Sequence, residues 1–182
     1  MSTIVTAPNS VLALKAKPVL KIDGTILKII DEMKTALVSA TDPIGVGLAA
    51  PQIGKSLQIF ITKPTTESKI SVFINPKIKY LNSEDSLRKN SKKKYTKLEG
   101  CLSLPKIWGE VRRKPALTIE FLDKNGRNQK KTYRSFMATI IQHEVDHLNG
   151  VLFPKRVLEQ KSALFKSEKN EKGQDIFEEI KI

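Results

Sequence analysis

Apolar residues at Ile26, Ile30, Met33 and Leu37 recur at steps of four, three and four between Asp23 and Ala40. That spacing places them on one stripe of an amphipathic helix that would pack on a core. From Pro43 the pattern changes. Gly45-Val46-Gly47-Leu48-Ala49-Ala50-Pro51-Gln52-Ile53-Gly54 is glycine-rich and apolar and follows neither the helical nor the alternating period. Such a segment invites close approach of a ligand to its backbone. Alternation then predicts short strands, with Leu57, Ile59 and Ile61 on one face, Val72 and Ile74 on one face, and Asn75-Pro76 closing that run. Leu117, Ile119 and Phe121 alternate again, and Asp123-Lys124-Asn125-Gly126 turns the chain back toward Tyr133, which reads as a hairpin. The sheet is therefore expected to be mainly antiparallel. Ser135 is placed to cap a helix carrying Phe136, Met137, Ile140, Ile141, Val145 and Leu148, and Asn149-Gly150 would stop it with a left-handed residue. This second helix is apolar on nearly every side, so it should be buried.

The remaining stretches are polar. Between Asn82 and Leu98, Arg88, Lys89, Lys92, Lys93, Lys94 and Lys97 face only Glu84 and Asp85, which predicts an exposed Lys-rich loop. From about residue 158 the chain becomes a charged tail of weak pattern, although Asp175 to Ile182 alternates and suits an edge strand. No repeat or linker is visible. The 182 residues are expected to form a single α+β domain, consistent with the usual size of about 100 to 200 residues.

Composition narrows the classes. With 40% hydrophobic and 28% charged residues, neither a disordered polymer nor a fibrous repeat fits. No apolar run approaches the roughly 20 residues that span a bilayer, and Met1 to Ser10 lacks a basic flank and an apolar stretch. An uncleaved intracellular protein is expected. The net charge of +13 would draw the molecule toward polyanions. A single cysteine excludes an intramolecular disulfide and leaves Cys101 as an inert buried thiol, a ligand or a nucleophile.

The only two histidines, His143 and His147, bracket Glu144 in an H-E-x-x-H motif inside the second helix. Residues four apart stand one turn above each other, so two imidazoles can share one metal ion. Glu144 sits about 100° around the helix from His143, where it can lean toward the metal's open side without ligating it. A catalytic site usually keeps three protein ligands, so a third donor must come from elsewhere. Cys101 is a strong candidate because a thiolate binds borderline transition metals well. A zinc endopeptidase would instead recruit a downstream carboxylate, from Glu159, Glu168 or Glu171. A basic ribosomal or RNA-binding module is a third reading, but few aromatic residues interleave with the lysines.

Three stretches, Gly45 to Gly54, then Glu99-Gly100-Cys101-Leu102-Ser103-Leu104-Pro105, then Gln142-His143-Glu144-Val145-Asp146-His147-Leu148, resemble the signature motifs of the peptide deformylases, in the family's order. A looser likeness extends from about Ala7 to Val157. The resemblance implies removal of the formyl group from the N-terminal formylmethionine of nascent polypeptides, with release of formate. It implies a partly closed antiparallel sheet around the H-E-x-x-H helix, with the Asp23 to Ala40 helix packed outside. Cys101, His143 and His147 would hold one divalent ion, Fe2+ in the family's usual state, with Ni2+, Co2+ or Zn2+ as substitutes. Glu144 would serve as general base and then proton donor, while the Gln52 amide and the Leu102 backbone N–H would stabilise the oxyanion.

The resemblance further implies that Gly45, Val46 and Gly47 on one side and Gly100 on the other pair with the substrate backbone as an added strand. The methionine pocket would be walled by Val46, Leu102, Thr139, Ile140 and the His143 ring, with Trp108 at its rim. Asp146 would pair with Arg113 behind the metal-bearing helix, with Arg112 as the alternative partner. Expected partners are formylated nascent chains and, from charge alone, the ribosome. Neither membrane nor sequence-specific nucleic-acid binding is expected, and the compartment would be the cytoplasm or an organelle of bacterial origin.

Overall fold

A computed structural model describes residues 3–81 and 98–181. The predicted Lys-rich loop lies outside the described residues except for Leu98. All ladders between named strands are antiparallel, and they form two sheets. The first has five strands in the order β1 (Gly47–Ala49), β2 (Ile59–Thr62), β3 (Ser71–Tyr80), β6 (Ala116–Leu122) and β7 (Asn128–Arg134). The second has four, in the order β4 (Leu98–Cys101), β5 (Leu104–Glu110), β8 (Leu164–Lys169) and β9 (Asp175–Ile180).

Two helices cover opposite faces of the first sheet. Helix α1 (Gly24–Ser39) starts where the Asp23 carboxylate accepts hydrogen bonds from the Thr25 and Ile26 N–H groups, satisfying donors that a helix start leaves open. Its stripe of Ile26, Ile30, Met33 and Leu37 packs on Leu48, Ile59, Ile61, Val72 and Ile74. The alternate residues, Phe60 and Phe73 with Leu117, Ile119 and Phe121, face the other way and meet Ala138, Ile141 and Leu148 of α2 (Ser135–Leu148). Phe60 and Phe73 stack there with ring centroids 4.5 Å apart. The H-E-x-x-H helix is thus held between its sheet and the cleft. A third cluster joins the second sheet to α3 (Phe153–Glu159) through Val111, Phe153, Val157 and Leu164.

Three expectations change. Asn75-Pro76 does not end its strand: β3 continues to Tyr80 through a bulge between Ile74 and Lys77. Pro76 cannot donate to a ladder and suits a bulge, while the Asn75 side chain, on a backbone at φ +50°, bonds both the N–H and the C=O of Val19 at 2.8 and 2.7 Å. Ser135 is not a cap but the first residue of α2, and the cap position, Arg134, makes no side-chain capping bond. The charged stretch after residue 158 is not pattern-free, because α3 ends within it and β8 pairs with β5 and β9, leaving β9 as the edge strand expected near Asp175.

Candidate metal centre and active site

Cys101 ends β4 at an irregularity in its pairing with β5, and His143 and His147 stand one turn apart on α2 with ring centroids 5.0 Å apart. The ligand atoms of these three residues all lie within 4.8 Å of one another, and Cys101 Sγ is 3.2 Å from His147 Nε2. His143 turns Nδ1 to Glu99 Oε2 at 3.1 Å, which leaves its Nε2 for the cluster. Burial, with the positive charge of His143 and Arg113 added, holds the His147 pKa well below the usual imidazole value, so its lone pair is available at neutral pH. One sulfur and two imidazole nitrogens form a donor set that fits a borderline transition metal and leaves a coordination position for water or substrate. Among the described residues no carboxylate joins this group. Glu159 is bound to Arg156 at 2.9 Å and Glu168 to Lys166 at 2.6 Å.

Behind the imidazoles runs a buried ionic chain. Arg113 donates to both oxygens of Glu99, at 2.8 and 2.9 Å, and to Asp146 Oδ2 at 2.6 Å. Asp146 also accepts from Arg156, at 2.7 Å on Oδ1. Burial would raise the Glu99 pKa, but the hydrogen bonds and charges of Arg113 and His143 together outweigh it and the carboxyl stays below its ordinary value. Arg112, the alternative partner for Asp146, instead bonds Gln160 through its N–H at 2.7 Å and its guanidinium at 2.8 Å. Arg113→Ala removes the one guanidinium shared by two buried carboxylates. We expect a loss of roughly 3–5 kcal/mol of stability, the usual result of stranding a buried charge, read as a fall in the urea midpoint.

Glu144 is almost fully buried beside the cluster, and its Oε2 has no hydrogen-bond partner. Burial pushes its pKa up to about 7 against the opposing pull of His143. Its carboxylate occupies the space where a side chain on residue 47 would be: a Cβ on Gly47 would lie against Glu144 Oε1, 2.9 Å from its Cδ and 3.0 Å from Ile140. Gln52 sits in a short 3-10 turn (Ala50–Ile53) after β1. Its Oε1 accepts from the Ala49 N–H at 2.8 Å, and that bond turns Nε2 toward Ser103 Oγ at 3.2 Å and Cys101 Sγ at 3.6 Å. A cavity of about 270 Å³ opens beside these groups. Gly45, Val46, Gly47, Gly100, Leu102, Trp108, Thr139, Ile140 and His143 all border it.

The chain matches the polypeptide deformylase family model over residues 1–163. The chain belongs to the peptide deformylase family. It is 39% identical to the peptide deformylase of Rhizobium meliloti (strain 1021) over 153 residues, covering 82% of this chain and 81% of that protein. It is also 39% identical to that of Borreliella burgdorferi over 167 residues, covering 91% and 94%. The Synechococcus elongatus peptide deformylase, solved in complex with actinonin, superposes with a TM-score of 0.71 at 36% identity, over 85% of this chain and 77% of that one. The Thermotoga maritima peptide deformylase gives 0.73 at 32% identity, over 86% and 97%. As a peptide deformylase this protein is a hydrolase that removes N-terminal formyl groups.

The deformylase site contains residues that motif reading passed over. Glu99 stood inside a quoted motif without a role, yet it is the residue that orients His143. A glutamate two positions before a candidate ligand cysteine was the available signal. Arg156 carried none, because its partner Asp146 lies on a different helix. Ile44 and Phe136, both exposed, also line the cavity.

Proposed function

We propose that Cys101, His143 and His147 hold a single divalent ion, ferrous iron in the cell, and that Glu144, Gln52 and Leu102 carry out deformylation of formylmethionyl chains around it. When bound, the metal supplies a Lewis acid that polarises the formyl carbonyl and brings the pKa of water toward about 7. The protein's own groups do the rest. The backbone of Gly45, Val46, Gly47 and Gly100 holds the peptide as an added strand, giving affinity without reading side chains that differ in every nascent protein. Val46, Leu102, Thr139, Ile140 and the His143 ring receive the methionine side chain. Glu144 takes a proton from the attacking water and returns it to the nitrogen as the C–N bond breaks, so that formate and a free amine leave. The Gln52 Nε2 and the Leu102 N–H donate to the oxygen that gains charge, a contribution worth roughly a hundred- to a thousandfold per donor. Asp146 and Arg113 hold α2 against the strands from behind.

The observation that carries this reading is the convergence of Cys101, His143 and His147 beside a buried Glu144 whose Oε2 is unpaired. Anaerobically purified protein is expected to release formate from formyl-Met-Ala-Ser in proportion to its bound iron. Full turnover by protein carrying no metal would exclude it.

Location follows from the substrate, and we propose action in the cytoplasm on chains leaving the ribosome, within one catalytic domain spanning residues 1–182. No helix among the described residues is long and apolar enough to cross a membrane. The net charge of +13 favours weak docking on ribosomal RNA. Co-sedimentation with ribosomes at low salt should then vanish between about 50 and 200 mM salt, and binding indifferent to salt would count against it.

A further inference from the structure

The segment beyond the family-matched residues 1–163 folds back onto the active-site cleft. Hairpin β8–β9 extends the second sheet from β5, and it meets the ring of Trp108, which lies at the junction of two cavities. Trp108 Nε1–H donates to the hydroxyl of Ser167 on β8 at 3.1 Å. Phe177 on β9 stands edge-on to the indole, with centroids 5.7 Å apart and planes at 88°. The indole also lies against Gly100, where a Cβ would come within 2.8 Å of ring atom Cζ3. The hairpin thus fixes the ring that covers a proposed substrate-pairing glycine.

A second cavity of about 690 Å³ adjoins the apolar one and shares Pro43, Ile44, Gly100, Cys101 and Trp108 with it. One wall comes from Thr41 to Ile44, and the other from the hairpin at Ser167, Glu168, Lys169 and Asp175. Lys169 Nζ lies 2.8 Å from Asp175 and 3.8 Å from Asp42, so the two walls come within ionic reach of each other. A formylated chain placed with its formyl end at Cys101 and its methionine in the apolar cavity must leave past the cavity wall, and the shared residues put the second cavity directly beside the first.

We propose that the β8–β9 hairpin is part of the substrate site: it positions Trp108 through Ser167 and Phe177 and walls the groove that receives the residues following the formylated methionine. The inference rests on the deformylase reading. Acidic Asp42, Glu168 and Asp175 alternate in the walls with Lys106 and Lys169, so the groove selects no single charge. It responds instead to chain length, favouring peptides of three or more residues over formyl-dipeptides. Binding energy from parts of the substrate remote from the reacting bond is the general source of such a preference.

The test compares kcat/KM for formyl-Met-Ala-Ala-Ala with that for formyl-Met-Ala. In the unsubstituted enzyme the ratio should reach about 10, the factor that about 1.36 kcal/mol of transition-state binding from the remote residues supplies. In Ser167→Ala and in Phe177→Ala it should fall toward 1, chiefly through KM of the longer peptide. Ser167→Thr and Phe177→Tyr, which keep the hydroxyl and the ring edge, should restore it. Phe177 is 40% exposed, so its truncation leaves the core intact. Trp108 is the sole tryptophan, and its emission should shift to the red in Phe177→Ala. A hairpin acting only as a structural brace would depress both rates together and leave the ratio unchanged, which would overturn the proposal, as would an unsubstituted enzyme indifferent to length. Formate release from neither peptide would bring down the deformylase reading and this one with it. Release from both, at a ratio insensitive to the four substitutions, removes the hairpin's role alone.

Discussion

Glu144→Gln should lower kcat for formate release by roughly 10²- to 10⁴-fold, the span general acid–base groups usually contribute, while bound metal and KM stay near those of the parent enzyme. The amide has the shape of the carboxylate, so the close packing of residue 144 under Gly47 and beside Ile140 survives. It lacks a basic oxygen, so proton transfer from water to the leaving nitrogen loses its carrier. Metal retention is expected because Glu144 is not among the three residues whose donor atoms converge. Measuring metal content beside steady-state rates separates the two roles. A Gln variant of undiminished kcat removes Glu144 from the chemistry, and one that loses its metal makes it a ligand instead.

The site was legible in the sequence where its residues stand close together along the chain. His143, Glu144 and His147 lie within one helical turn and a little more, so their relation follows from helical geometry alone. The α1 stripe and the hairpin at Asp123 to Gly126 were legible for the same reason, since each is specified by a local period or turn. Residues that meet only through the fold were legible only where the family resemblance named them, as for Cys101 with the two histidines. Glu99 and His143 are 44 positions apart, and Trp108 and Ser167 are 59. Of the Glu99–Arg113–Asp146–Arg156 chain, the Arg113–Asp146 pair was expected from the family resemblance, while the links to Glu99 on a strand and to Arg156 on another helix were masked by charged residues elsewhere in a sequence so rich in lysine and arginine. Asn75-Pro76 misled because the dipeptide that normally ends a strand is equally suited to a bulge within one, and only the distant Val19 backbone decides between them. The division of the strands into two sheets also escaped, because alternation reports a strand's two faces but not its neighbours.

The second large effect concerns the sulfur. Cys101→Ala should leave the protein folded and unable to hold its metal, with affinity falling by at least roughly 100-fold, the upper end of what loss of an outer partner alone produces. Formate release should fall with it. Cys101 is small and buried, so an alanine fills most of its space and the fold has little reason to fail. Two imidazoles remain, and they need a third donor. Of the three carboxylates a zinc endopeptidase would recruit, Glu159 is engaged with Arg156 and Glu168 with Lys166, and Glu171 is not in the converging group. Glu99→Gln provides the graded comparison. It keeps all three ligands but weakens the acceptor that fixes the His143 ring, so affinity should drop by about 10- to 100-fold, less than for the cysteine variant. Metal analysis after equilibrium dialysis against a competing chelator ranks the three proteins. The order expected is parent, then Glu99→Gln, then Cys101→Ala. A cysteine variant that keeps stoichiometric metal and turnover would show that the thiolate is a bystander and that the third ligand lies elsewhere.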